Sequence, residues 1–120
     1  MTTPSFPVTI FHNPACGTSR NVVAFVQAAG HEPNVVEYLK SGWTADQLRD
    51  LSQRSGQSLR QLLREKGTPA EELGLLKDGV SEDTLLSAMI AHPILVNRPI
   101  VVTPKGVALC RPSEQVQALL

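Results

Sequence analysis

The strand-like runs of this chain lie at its two ends, and the long stretch between them is patterned as helix. Val8 to Phe11 is a short apolar run that reads as a first strand, and Pro33 opens a second through Val35, Val36 and Tyr38. Between them Val22, Phe25, Val26 and Ala29 recur at helical spacing, with Gly30 where a C-terminal cap would sit. The first 39 residues therefore read as β-loop-α-β, most simply a parallel crossover unit. At the other end, Ile100-Val101-Val102-Thr103, Pro104-Lys105-Gly106 and Val107 to Cys110 read as a hairpin, and Ser113 opens a short terminal helix. Any sheet must join the N-terminal strands to this C-terminal hairpin.

Residues 44–91 carry helix starts and no strand signal. Thr44-Ala45-Asp46-Gln47 and Ser58-Leu59-Arg60-Gln61 have the form of capping boxes, and Thr68-Pro69-Ala70-Glu71 repeats the form with proline at the first helical position. Ser81 begins a further helix through Leu85, Leu86, Met89 and Ile90, stopped by His92-Pro93. The expectation is one α/β domain over 1–120, a four-stranded mixed sheet flanked by helices in the thioredoxin-like arrangement, with 44–91 as an inserted helical subdomain. Such a length fits one core.

Composition narrows the function classes. Apolar residues at 42% and charged residues at 18% are those of an ordinary globular protein. A formal net charge of zero argues against nucleic-acid and anionic-membrane partners, which require excess Lys and Arg. No apolar run is long enough for a bilayer. Met1 to Pro7 lacks the basic start and apolar stretch of a secretory signal, so a cytoplasmic location is expected. In a reducing compartment the two distant cysteines, Cys16 and Cys110, are expected to be free thiols.

Cys16 carries the clearest chemical signal. It falls where the first helix begins, and unpaired amides and the helix dipole there favour a thiolate. Arg20 follows one turn later, and His12 precedes it on the same loop, within reach of pairing with the sulfur or donating to it. Gly17, Thr18 and Ser19 can aim backbone amides at a bound oxyanion, with Gly17 permitting tight backbone geometry. The competing reading is a buried structural cysteine, but such residues usually lie in apolar runs, and Gly, Thr, Ser, Arg and Asn directly follow this one. For His12 the competing reading is a structural hydrogen-bonding group. Arg98 and Arg111 fall at the same open end of the hairpin, and Arg64 falls at the end of the second insert helix; the guanidinium fork suits tetrahedral oxyanions. Each arginine read alone is a solvated surface charge, and spacing does not bring Arg64 near the others. Cys110 reads as a buried strand residue.

Three motifs resemble those of the glutaredoxin-linked arsenate reductase family. They are His12-Asn13-Pro14-Ala15-Cys16-Gly17-Thr18-Ser19-Arg20-Asn21, the run from His92 to Pro104 that contains Asn97-Arg98-Pro99, and Leu109-Cys110-Arg111-Pro112-Ser113-Glu114. Ser58 through Arg64 and Leu73-Gly74-Leu75 resemble further family segments, so the likeness runs in order from Val8 onward. The resemblance implies that Cys16 attacks arsenate to form a covalent cysteine–arsenic intermediate. It implies that His12 helps ionise the sulfur and that Arg64, Arg98 and Arg111 bind the oxyanion. It implies glutathione as co-substrate, a glutaredoxin as reducing partner, and no tightly bound cofactor or metal; a monomer is expected. In a thioredoxin-like fold the proline at the position of Pro99 is typically cis and faces the reactive thiol. Because Cys16-Gly17-Thr18-Ser19 ends in serine, the first turn cannot close a disulfide and an outside thiol must resolve the intermediate. Two rival functions remain: a glutathione-dependent thiol oxidoreductase without arsenate specificity, and a redox-sensing regulator docking on RNA polymerase. The second would be expected to carry Cys-x-x-Cys.

Overall fold

The computed structural model describes residues 6–120; Met1 to Ser5, part of the segment read above for a secretory signal, lie outside the described residues. Two compact units make up the chain. One is built from its two ends, up to Glu37 and from Arg98 onward, and the other is Tyr38–Asn97.

The first unit holds a four-stranded mixed sheet in the order β2-β1-β3-β4, with β1 Thr9–His12, β2 Asn34–Glu37, β3 Ile100–Thr103 and β4 Gly106–Leu109. β1 runs parallel to β2, with Ile10 opposite Val35, and antiparallel to β3, with Phe11 opposite Ile100. β3 and β4 form the expected hairpin. The Thr103 hydroxyl accepts from the Lys105 amide at its turn and donates to the Leu119 carbonyl, tying the turn to the end of the chain. Helix α1, Gly17–Ala28, makes the crossover from β1 to β2. It ends through Ala29 into Gly30 at φ 91°, a left-handed conformation that glycine adopts at little cost. Val22 and Val26 of α1 pack with Ile10, Val101 and Cys110 of the sheet region and with Val116 and Leu119 of the terminal segment. Each side chain buried this way is worth about 1.5–3 kcal/mol. The terminal helix forms as a 3-10 helix over Ser113–Leu119.

In the second unit, Thr44 and Ser58 close full capping boxes onto Gln47 and Gln61, starting α3, Ala45–Ser55, and α4, Leu59–Leu62. Caps of this kind contribute about 1 kcal/mol each. Ser81 caps α5, Glu82–Ala91. Three expectations fail locally. Tyr38 does not extend β2: it begins a short helix α2, Tyr38–Ser41, its ring stacks on Trp43 at 4.9 Å, and its hydroxyl donates to the Val96 carbonyl at 2.8 Å. No helix follows Thr68-Pro69: one turn forms, with Leu73 N–H on Pro69 O, and Gly74 at φ 72° closes it. The unit is also not free of strand pairing, because Leu63 and Val96 form an isolated antiparallel bridge. No helix among the described residues is long and apolar enough to cross a membrane.

Candidate active site

The loop between β1 and α1 is folded by its own polar groups. The Asn13 side-chain oxygen accepts from the Ala15 amide at 3.0 Å, an Asx-type turn, and the Cys16 amide donates to the Asn13 carbonyl at 3.0 Å. Ser19, fully buried, accepts the Asn13 amide on its hydroxyl at 3.4 Å. These bonds set Cys16 as the N-cap residue of α1, with extended backbone at φ −94° and ψ 122°.

From that position the sulfur meets two arginines of the same unit. The Arg111 guanidinium donates to Cys16 Sγ at 3.5 Å and, from the same nitrogen, to the Arg98 carbonyl at 3.0 Å. The Arg98 side chain also donates to the sulfur, and so does the Ser19 amide. Burial by itself would push the thiol up; the Ser19 amide and the two guanidinium groups outweigh it and bring Cys16 down to about 6. The peptide bond between Arg98 and Pro99 is cis, as is that between Arg111 and Pro112. The hairpin places Arg98 ahead of β3 and Arg111 beyond β4, on the paired residues' shared end: Ile100 faces Leu109, and the Cys110 amide donates to Pro99 O at 2.9 Å.

Other residues singled out in the sequence sit differently. His12 is not on the loop but is the last residue of β1, and it is buried. Burial lowers its pKa, Arg20 adds to that, and Glu37 opposes, so the imidazole is neutral at pH 7. The Nδ1 atom of His12 is buried without a partner among the described residues. The groups that lower the Cys16 thiol are the Ser19 amide, Arg98 and Arg111. Arg20 is exposed and spends its guanidinium on the Pro14 carbonyl at 2.8 Å. Gly17 is the first helical residue; a Cβ there would meet only the Arg20 guanidinium at 3.7 Å, so its backbone freedom is not used. Thr18, half-buried, completes the first turn. Arg64 belongs to the helical unit, beyond the end of α4, where it donates to Lys66 O at 3.0 Å and to the Asn97 side chain at 3.2 Å. Cys110 is fully buried, and burial pushes its thiol up to about 11. Asn13, which shapes the loop ahead of Cys16, is a position that periodicity does not reveal; its signal in the sequence is the Asn-Pro dipeptide.

A pH series of iodoacetamide labelling tests these electrostatics. Alkylation needs the thiolate, so the rate at Cys16 is expected to rise with pH about a midpoint near 6. Cys110 is expected to stay unlabelled until the protein unfolds. A Cys16 midpoint near the ordinary value of about 8.5 would show that the arginines do not hold the sulfur ionised.

Comparison with known proteins places this geometry in a lineage. The chain is 55% identical over 113 residues to an arsenate reductase of Rhizobium meliloti, covering 94% of this chain and 81% of that one. It is 54% identical over 113 residues to an arsenate reductase of Synechocystis sp., covering 94% and 81%. The solved structure of an arsenate reductase from Vibrio cholerae superposes with a TM-score of 0.92 at 36% identity, covering 98% of this chain and all of that one. The ArsC family model matches residues 11–119, which takes in Cys16, Arg98 and Arg111 together, and the chain belongs to the ArsC family.

Proposed function

We propose that the chain is an arsenate reductase in which Cys16 attacks arsenic and glutathione with a glutaredoxin supplies the electrons. The observation that carries this reading is the Cys16 sulfur at the start of α1 with the Arg111 guanidinium 3.5 Å away, a nucleophile and an anion receptor in one place. Relatives more than half identical over 94% of the chain are arsenate reductases by name.

Arsenate docks where the first-turn amides, Thr18 among them, and Arg98 and Arg111 offer donors. Those cations offset the repulsion between two anions and stabilise charge on the arsenic oxygens as the bond forms. The Cys16 thiolate forms a sulfur–arsenic bond, and one arsenic oxygen leaves as hydroxide or, once protonated, as water. The thiol of glutathione then condenses on the same arsenic, releasing water, with arsenic still As(V). A glutaredoxin thiolate attacks the glutathione sulfur. A disulfide forms, the glutathione–arsenic bond breaks, and its electron pair stays on arsenic, which becomes As(III). Water displaces the Cys16 sulfur from arsenic, and arsenite leaves. His12 enters as a neutral imidazole, its pKa lowered by burial. The part of Arg64 in arsenate binding rests on the family resemblance. The scheme requires a reducing compartment that holds glutathione, which the cytoplasm provides.

The test is arsenate-dependent NADPH oxidation with glutathione, glutaredoxin and glutathione reductase present. Turnover that requires arsenate, both thiols and this protein is expected. Thiol–disulfide exchange without arsenate turnover would assign the chain to the glutathione-dependent oxidoreductases instead.

A further inference from the structure

Two stretches of chain lead away from the contact between Cys16 and Arg111. One is α1, which carries Asn21, Ala24 and Ala28 at the spacing of a single helix face, with Phe25 beside them. The other passes from Arg111 through Pro112 to Ser113 and Glu114 at the start of the terminal 3-10 helix. These six residues line one open groove of about 470 Å³.

We infer that this groove holds the glutamyl arm of glutathione while its thiol reaches arsenic on Cys16. The inference rests on the reading under Proposed function and gives its co-substrate a place. Position supports it first: Asn21 is five residues past Cys16, about 7.5 Å along the helix axis and about 140° around it, and on the other wall Ser113 and Glu114 follow within three residues of Arg111, whose guanidinium touches the sulfur. The groove volume lies within the roughly 300–1,000 Å³ usual for small-ligand clefts, ample for part of a tripeptide.

Chemistry supports it independently. Ala24, Ala28 and Phe25 give an apolar floor suited to the two methylenes of a glutamyl chain. Glu114, exposed at the rim, presents a carboxylate to an ammonium, and the Asn21 amide can donate to a carboxylate on the same carbon. The lining contains no Lys or Arg, so the groove is ill suited to arsenate itself. With the peptide held there, the thiol approaches the Cys16 adduct from the α1 side. The sulfur–arsenic bond forms, the thiol proton leaves with an arsenic-bound hydroxyl as water, and no oxidation state changes in that step.

Two variants and one probe test the proposal. Ala24→Trp fills the groove, and Glu114→Gln removes the charge at nearly constant shape. With glutaredoxin saturating, KM for glutathione is expected to rise about tenfold in the first and several-fold in the second. Arsenate KM and the midpoint of Cys16 alkylation are expected to stay at wild-type values, which also reports an intact site. In the wild-type protein, S-methylglutathione, which cannot react, is expected to shift the backbone amide resonances of Asn21, Ala24 and Ser113. Unchanged glutathione KM in both variants, or amide shifts confined to other residues, would overturn the groove assignment and leave arsenate reduction standing. A rise in glutaredoxin KM alone would give the groove to the protein partner and overturn it equally. A wild-type protein that reduces arsenate without needing glutathione would instead remove the parent reading.

Discussion

Cys16→Ser is expected to lower arsenate turnover by a factor on the order of 10⁴ or more, the scale on which loss of a covalent nucleophile is felt. A serine hydroxyl keeps the shape of the site but stays protonated at neutral pH, whereas the thiol is held at about 6 and is ionised there. The fold has little stake in the exchange, because the side chain lies at the start of α1 and not among the residues that fill the sheet's core. Circular dichroism and the unfolding midpoint should match wild type while the coupled assay falls to background. Turnover near the wild-type rate would take Cys16 out of the reaction.

Arg111→Ala is expected to act in two places at once. It removes a donor to the Cys16 sulfur and a donor to the Arg98 carbonyl. A hydrogen bond from a charged group is worth about 1.5–3 kcal/mol, which corresponds to a loss of roughly 10- to 150-fold in kcat/KM for arsenate. The alkylation midpoint of Cys16 should rise toward that of a free thiol, since one of the groups depressing it is gone. At pH 7 a smaller thiolate fraction then adds to the weaker binding, and part of the loss should be recovered at higher pH. Arg111→Lys retains a cation without the planar guanidinium and should fall between wild type and Arg111→Ala. Kinetics unchanged in the Arg111 variants would place that guanidinium outside the reaction.

Much of this was legible in the residues because it is written locally. Val8 to Phe11, the turn at Pro104-Lys105 and the boxes at Thr44 and Ser58 each carry their instruction within a few positions, and the elements form there. Tyr38, an aromatic shortly after two valines, has the look of a strand residue. Its fate is decided by a hydrogen bond to Val96, 58 residues away. Thr68-Pro69 starts a single turn but no helix, and Gly74 closes it. In the site, Cys16 and the two hairpin arginines are marked by position. The protonation of His12 is not, since it follows from burial at the end of β1, a tertiary property. The same holds for Arg20, whose proximity in sequence to Cys16 suggested a partner but whose guanidinium turns to Pro14.

The pairing of β1 with β3 has a bearing on synthesis. Phe11 finds its antiparallel neighbour in Ile100, so one edge of the N-terminal strand stays open until Ile100 has left the ribosome. At about 5–20 residues per second that wait lasts several seconds, far longer than a helix or hairpin needs to form. Tyr38–Asn97, being continuous in the chain, is complete in nascent form before the sheet can close. Cys16 and the Ser19 amide therefore emerge early, whereas the two guanidinium groups beside the sulfur follow much later in the chain, and the thiol has its full set of donors only once Arg111 is made.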